Sequence, residues 1–176
     1  MVSRPPPSSH RPTRFDEIIL PHLDAAYTLA RYLVRDEHDA QDVVQEAALR
    51  ALRHFDGYAG GDSRAWLLSI VRNCAVDRYR ERRRDLDSVS VDDSIAGDAS
   101  ADTLAIEGSE RERVMRAVDS LPVEFREVIV LREVEELSYK EIGAVVGAPI
   151  GTVMSRLARA RKRLADLLGD PALEVG

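Results

Sequence analysis

Five basic residues, Arg156, Arg159, Arg161, Lys162 and Arg163, fall within eight positions that hold no acid, and Thr152 and Ser155 stand just before them. On a helix, Thr152, Ser155, Arg156, Arg159, Lys162 and Arg163 share one stripe, opposite Val153, Leu157, Ala160, Leu164 and Leu167. Short polar side chains at the N-terminal end and cations further along suit a helix laid in a DNA major groove. The former reach base edges and the latter reach phosphates. A basic stripe by itself is more often a solvated face, so its neighbours must decide. A second group, Trp66, Asn73, Arg80 and Arg84, aligns with Ser69 and Asp77 along another helical stripe that runs into the RERRR sequence of residues 80–84. An aromatic ring, an amide and clustered arginines suit stacking on unpaired bases with phosphate contact. The competing reading makes Trp66 a core anchor and the arginines a complement to the helix dipole. A third group, Asp42, Gln45, Glu46 and Leu49, lies on the polar side of a helix, either as a solvated face or as a contact surface marked by the isolated Leu49.

Each stripe needs a helix to position it. Ser138 and Glu141 fit a capping box that starts a short helix ending at Val146 and Gly147. A tight connection through Pro149 then leads to a helix from about Thr152 to Leu168, which makes a helix-turn-helix. Upstream, residues 15–34 are apolar at helical spacing, with Pro21 expected to kink or restart the helix. Residues 40–55 are amphipathic, with Val43, Val44, Ala47, Ala48, Ala51, Leu52 and Phe55 on the packing side. Residues 57–62 break the chain, and Asp62 or Ser63 can cap a helix over 64–84 that packs through Leu67, Ile70, Val71 and Cys74. Residues 110–120 and 123–134 are helical, with Pro122 near the second start. No alternating strand pattern occurs. The chain reads as all-α.

A net charge of −6 argues against a nucleic-acid binder until the chain is divided. Residues 1–84 carry +2, residues 85–110 carry −8, and residues 111–176 are neutral. The acidic stretch is rich in Ser, Asp, Ala and Gly, which predicts a flexible linker over 85–109 between two helical domains, 13–84 and 110–170. Residues 1–12, rich in Pro and Ser, read as a disordered tail.

Enzyme chemistry finds no support. There is no glycine-rich phosphate loop and no metal-spaced His or Cys cluster, His10, His22, His38 and His54 are scattered, and Glu135-Glu136 reads as a helix-end charge pair. Neither a cofactor nor a metal is expected. The single cysteine, Cys74, excludes an internal disulfide framework. The longest uncharged apolar run, 144–154, is too short to span a bilayer and contains Pro149. These features predict a cytoplasmic protein with no membrane insertion.

The segments DEHDAQDVVQEAALRALRHFDGY, SRAWLLSIVRNCAVDRYRERRR and LPVEFREVIVLREVEELSYKEIGAVVGAPIGTVMSRLARARKRL, taken in this order, resemble bacterial sigma factors of the extracytoplasmic-function group. The resemblance covers roughly residues 13–168. It implies that Asp42, Gln45 and Glu46 dock on the clamp helices of core RNA polymerase, with Leu49 on the same face. It further implies that residues 57–62, Trp66 and Asn73 act on the melted −10 element, and the stripe reading adds Arg80 and Arg84 to the same DNA-binding group. Residues 152–163 would read the −35 element as duplex DNA, and the linker would thread toward the polymerase active-site channel. An anti-sigma factor is the implied regulator. Met154 stands where many relatives carry a basic residue, so the −35 sequence itself does not carry over. The competing function is an autonomous helix-turn-helix repressor or activator, although no dimerisation helix or effector pocket is evident.

Overall fold

The computed structural model describes residues 14–87 and 110–169. All regular structure among them is helical, in two domains. The predicted tail, and the predicted linker from residue 88 onward, lie outside the described residues.

In the first domain α1 (Arg14–Ile19) ends at a 3-10 turn, Leu20–His22, that contains Pro21, and α2 (Leu23–Val34) follows. The missing proline N–H restarts the helix there, as its position in the sequence predicts. Helix α3 (Glu37–His54) begins three residues before the expected start, because the Asp36 carboxylate accepts the Asp39 N–H at 2.9 Å. Helix α4 (Ser63–Asp87) is capped by Asp62, whose Oδ1 accepts the Ala65 N–H at 2.9 Å. That bond holds the Asp62 carboxyl below the ordinary carboxylate range. Helix α4 also continues three residues past the predicted domain end at 84.

Alanines Ala26, Ala30, Ala40, Ala47 and Ala51 are buried where α2, α3 and α4 meet, and such small side chains let the helices approach closely. Ile19, Leu29, Leu67, Leu68 and Val71 fill the remaining space. Leu52, expected on the packing side, is 54% exposed. The stripe through Val43, Ala47 and Ala51 already sets the rotation of α3, and Leu52 lies off that line.

The second domain contains α5 (Glu110–Ser120), α6 (Val123–Ile129, continued as a π-helical turn Val130–Val134), α7 (Tyr139–Val146) and α8 (Ile150–Leu168). Both predicted caps of α7 are present: the reciprocal Ser138–Glu141 capping box, and Gly147 in the left-handed region at φ 66°. Helix α8 starts two residues before its predicted start, directly after Pro149. Val153, Leu157, Ala160 and Leu164 are buried as expected, whereas Leu167 is 56% exposed. At 3.6 residues per turn the inward line passes to half-buried Leu168.

Gly143 sets the helix-turn-helix angle. A Cβ there would lie 2.8 Å from the Ala148 carbonyl oxygen, a backbone atom held in the turn. Gly143→Ala should therefore destabilise the chain by about 1–3 kcal/mol through overpacking. That outweighs the gain of up to about 1 kcal/mol normally expected of Gly→Ala within a helix. A thermal melt should show a lower Tm, and a rise would mean that the turn relaxes freely.

The two domains pack on each other, α4 against α7 and α2 against α6, and the buried apolar residues form one continuous cluster. Nothing in the sequence reading anticipated this contact.

Candidate nucleic-acid interface

The outward stripe of α8 is divided by its ion pairs. Ser155, Arg159, Lys162 and Arg163 are exposed, and Thr152 is half-buried. The Arg163 guanidinium lies over the Phe125 ring, 5.2 Å from its centroid. Arg156 is half-buried and donates to Glu127 at 3.3 Å, while Arg161 pairs with Glu133 at 2.8 Å. Among the described residues, no ion pair engages Arg159 or Lys162. These two border a shallow depression of about 430 Å³ with Phe125, Arg163 and Asp166. Of the six stripe residues named from sequence, Arg156 is the one the structure turns toward an internal carboxylate.

Helix α4 presents Asn73, Arg80 and Arg84 to solvent. Trp66 is half-buried in an aromatic cluster, 5.0 Å from Tyr58 and 6.5 Å from Phe55, with Phe15 edge-on to Phe55 at 5.2 Å. The Tyr58 hydroxyl donates to the Gly61 carbonyl at 2.6 Å, and Gly60 and Gly61 adopt positive φ. Trp66 thus anchors the loop before α4 as well as lining its surface. Asp77, grouped with the Asn73 stripe from sequence, instead turns toward α3 and accepts from Arg50 at 3.0 Å. Tyr79 was missed. It is 62% exposed beside Arg80, and its signal was an aromatic residue at the edge of the RERRR run.

Asp42, Gln45, Glu46 and Leu49 come together on α3 along a cleft shared with α4. Arg78 Nη2 donates at 3.1 Å both to exposed Asp42 and to buried Asp39, and Arg82 also pairs with Asp39. Arg50 bridges Glu46 at 2.7 Å and Asp77. The carboxylates of this face are therefore held in place by arginines. Burial pushes the Cys74 thiol up and keeps it protonated beneath the cleft.

Charged groups also fill the seam between the domains. The Glu127 side chain, 4% exposed, accepts from Arg72 of α4 at 3.0 Å as well as from Arg156. Arg64 at the start of α4 pairs with Glu135, which stands at the helix end as expected from sequence and is buried there. Buried Arg126 donates at 2.7 Å to the carbonyls of Tyr32 and Leu121. Burial lowers its pKa to about 10, and the partial negative charge at the C-terminal end of α2 favours its cation. The available signal for this seam was a charged pair, Arg126-Glu127, set inside the apolar run 125–131.

The Sigma-70 region 2 profile matches residues 18–85, and the Sigma-70 region 4 profile matches residues 111–164. The chain is 37% identical over 169 residues to the ECF RNA polymerase sigma factor SigE of Mycolicibacterium smegmatis, covering 92% of this chain and 64% of that one. It is 35% identical to the sigma-E factor of Escherichia coli, covering 72% of each, and 30% identical to SigW of Bacillus subtilis, covering 89% of each. The fold resembles the sigma factor RpoE solved in complex with the anti-sigma factor NepR from Bartonella quintana, with a TM-score of 0.71 and 30% identity over 89% of this chain and 98% of that chain. It also resembles CnrH in complex with the cytosolic domain of CnrY, with a TM-score of 0.61 and 29% identity over 89% of this chain and 88% of that one. With two region profiles in order and relatives at least 30% identical covered to 72% and 89% of their length, the chain belongs to the extracytoplasmic-function RNA polymerase sigma factors.

Proposed function

We propose that the chain binds core RNA polymerase through Asp42, Gln45, Glu46 and Leu49 and directs initiation at promoters that it reads in two places. Asn73, Arg80 and Arg84, with Trp66 and the loop it anchors, act on the melted −10 element. Thr152, Ser155, Arg159, Lys162 and Arg163 act on the duplex −35 element, while Arg156 is held at the domain seam by Glu127. The observation that carries this reading is that exposed cations occur in stripes on both domains of a sigma-family chain, beside the Asn73 amide on α4 and beside the Ser155 hydroxyl on α8. Bond formation is left to the polymerase, so the chain is a specificity subunit and not an enzyme. It works where polymerase and chromosome are, in the cytoplasm, and no described helix is long and apolar enough to cross a membrane. The solved relative RpoE, held by the anti-sigma factor NepR, supports an anti-sigma factor as its regulator.

Run-off transcription tests the reading. Core enzyme plus this chain should give a discrete transcript, while the chain alone should leave promoter duplex unshifted. A shift by the free chain without a polymerase-dependent transcript would favour a repressor. Within α8 the roles should separate. Arg159→Ala should cost about 1–3 kcal/mol and relax selection at one or two −35 positions. Lys162→Ala should weaken all sequences alike and lower the salt slope by about one unit. A randomised −35 library transcribed by each holoenzyme reads both effects. Altered selection by Lys162→Ala alone would mean that the helix docks in another register.

A further inference from the structure

Ile150 and Met154, one turn apart at the start of α8, are 48% and 52% exposed. Positions four apart on a helix are neighbours, so they form one apolar patch. The helix cannot turn to bury them, because Val153, Leu157 and Ala160 fix its rotation and are themselves no more than 1% exposed. The patch sits at the end that carries Thr152 and Ser155, and the exposed cations Arg159, Lys162 and Arg163 follow along the same helix. An occupant must therefore be polyanionic along its length and apolar at one point. Duplex DNA meets both demands, because the thymine 5-methyl group is the apolar feature of the major groove.

We propose that Ile150 and Met154 read thymine methyl groups, so that the −35 element of this sigma factor carries T·A pairs beneath the first two turns of α8. The inference rests on α8 being the DNA-reading helix and adds an apolar determinant to its polar ones.

Uracil pairs as thymine does and lacks only the methyl, so it isolates the contact. Promoters selected from the randomised −35 library are rebuilt with uracil at each thymine in turn and bound by holoenzyme. One lost methyl contact should weaken binding about fourfold, from ~0.8 kcal/mol per buried methylene-sized group. Met154→Ala or Ile150→Ala should remove that sensitivity at its own position and leave the salt slope unchanged. Both side chains are exposed, and a thermal melt confirms that the variants fold. Uracil tolerated at every thymine, sensitivity that survives both variants, or selected promoters without thymine there would overturn the proposal. If uracil is silent while Ile150→Ala weakens a protein partner, the patch is a protein-docking surface. Silent uracil with a normal Arg159→Ala response defeats this inference alone, whereas unchanged selection by Arg159→Ala defeats the DNA-reading assignment of α8.

Discussion

Glu127→Ala is expected to loosen the second domain from the first. The wild-type carboxylate is buried and takes hydrogen bonds from Arg72 on one domain and Arg156 on the other. Without it, two guanidinium groups face each other across the seam. Removing one partner of a buried pair typically costs about 3–5 kcal/mol. Both arginines retain some solvent contact, which puts the expected loss near the lower end, about 3 kcal/mol. Small-angle scattering should show a larger radius of gyration for the variant, and its thermal transition should fall or split. Nonspecific DNA binding by the free chain should rise as well, because Arg156 and Arg72 are released. An unchanged radius and melting profile would mean that apolar contact alone closes the seam.

Asp42→Arg should reduce affinity for core polymerase by about 2–5 kcal/mol, roughly thirtyfold to several-thousandfold. The side chain is mostly exposed, so the domain should still fold. The structure adds a qualification to the design. Asp42 accepts from Arg78, which also serves Asp39, so the new cation would face Arg78 and shift that neighbour. Asp42→Asn is the cleaner companion, since it removes the charge without opposing Arg78. Holoenzyme assembly should weaken in both variants, more in the first, with the α4 stripe and its −10 selectivity unaffected. Wild-type affinity in the folded Asp42→Arg chain would remove α3 from the polymerase interface.

How much of this was legible depended on whether the signal was local. The α7 start and stop were readable because the Ser138–Glu141 box and Gly147 act within a few residues. The early start of α3 was not, because Asp36 caps a first turn, Glu37-His38-Asp39, that has no apolar periodicity. Leu52 and Leu167 were misplaced for a related reason. A helical wheel ranks residues by angle, but tertiary contact decides how wide the buried arc is. The candidate faces on α3 and α8 were mostly visible because amphipathic helices separate their faces in sequence. Asp77 and Arg156 departed because their partners, Arg50 and Glu127, lie 27 and 29 residues away. The domain seam was the least legible feature, since Arg72 meets Glu127 across 55 residues and no helical period links them.

The arginine ties between α3 and α4 have a consequence for how a promoter is measured. Arg50 joins Asp77 on one side of Cys74, while Arg78 and Arg82 join Asp39 further along the same pair of helices. These ties, together with the alanine-lined contact beneath, make the two helices one stiff block. The carboxylates on its α3 side and Asn73 on its α4 side then keep a constant offset, like two marks on a gauge. Under the proposed assignment of these faces, with the first mark seated on polymerase, the second meets DNA at one position along the template. The start of transcription would thus inherit its accuracy from a helix pair, and the offset to the helix proposed to read the −35 element from the packed seam between the domains.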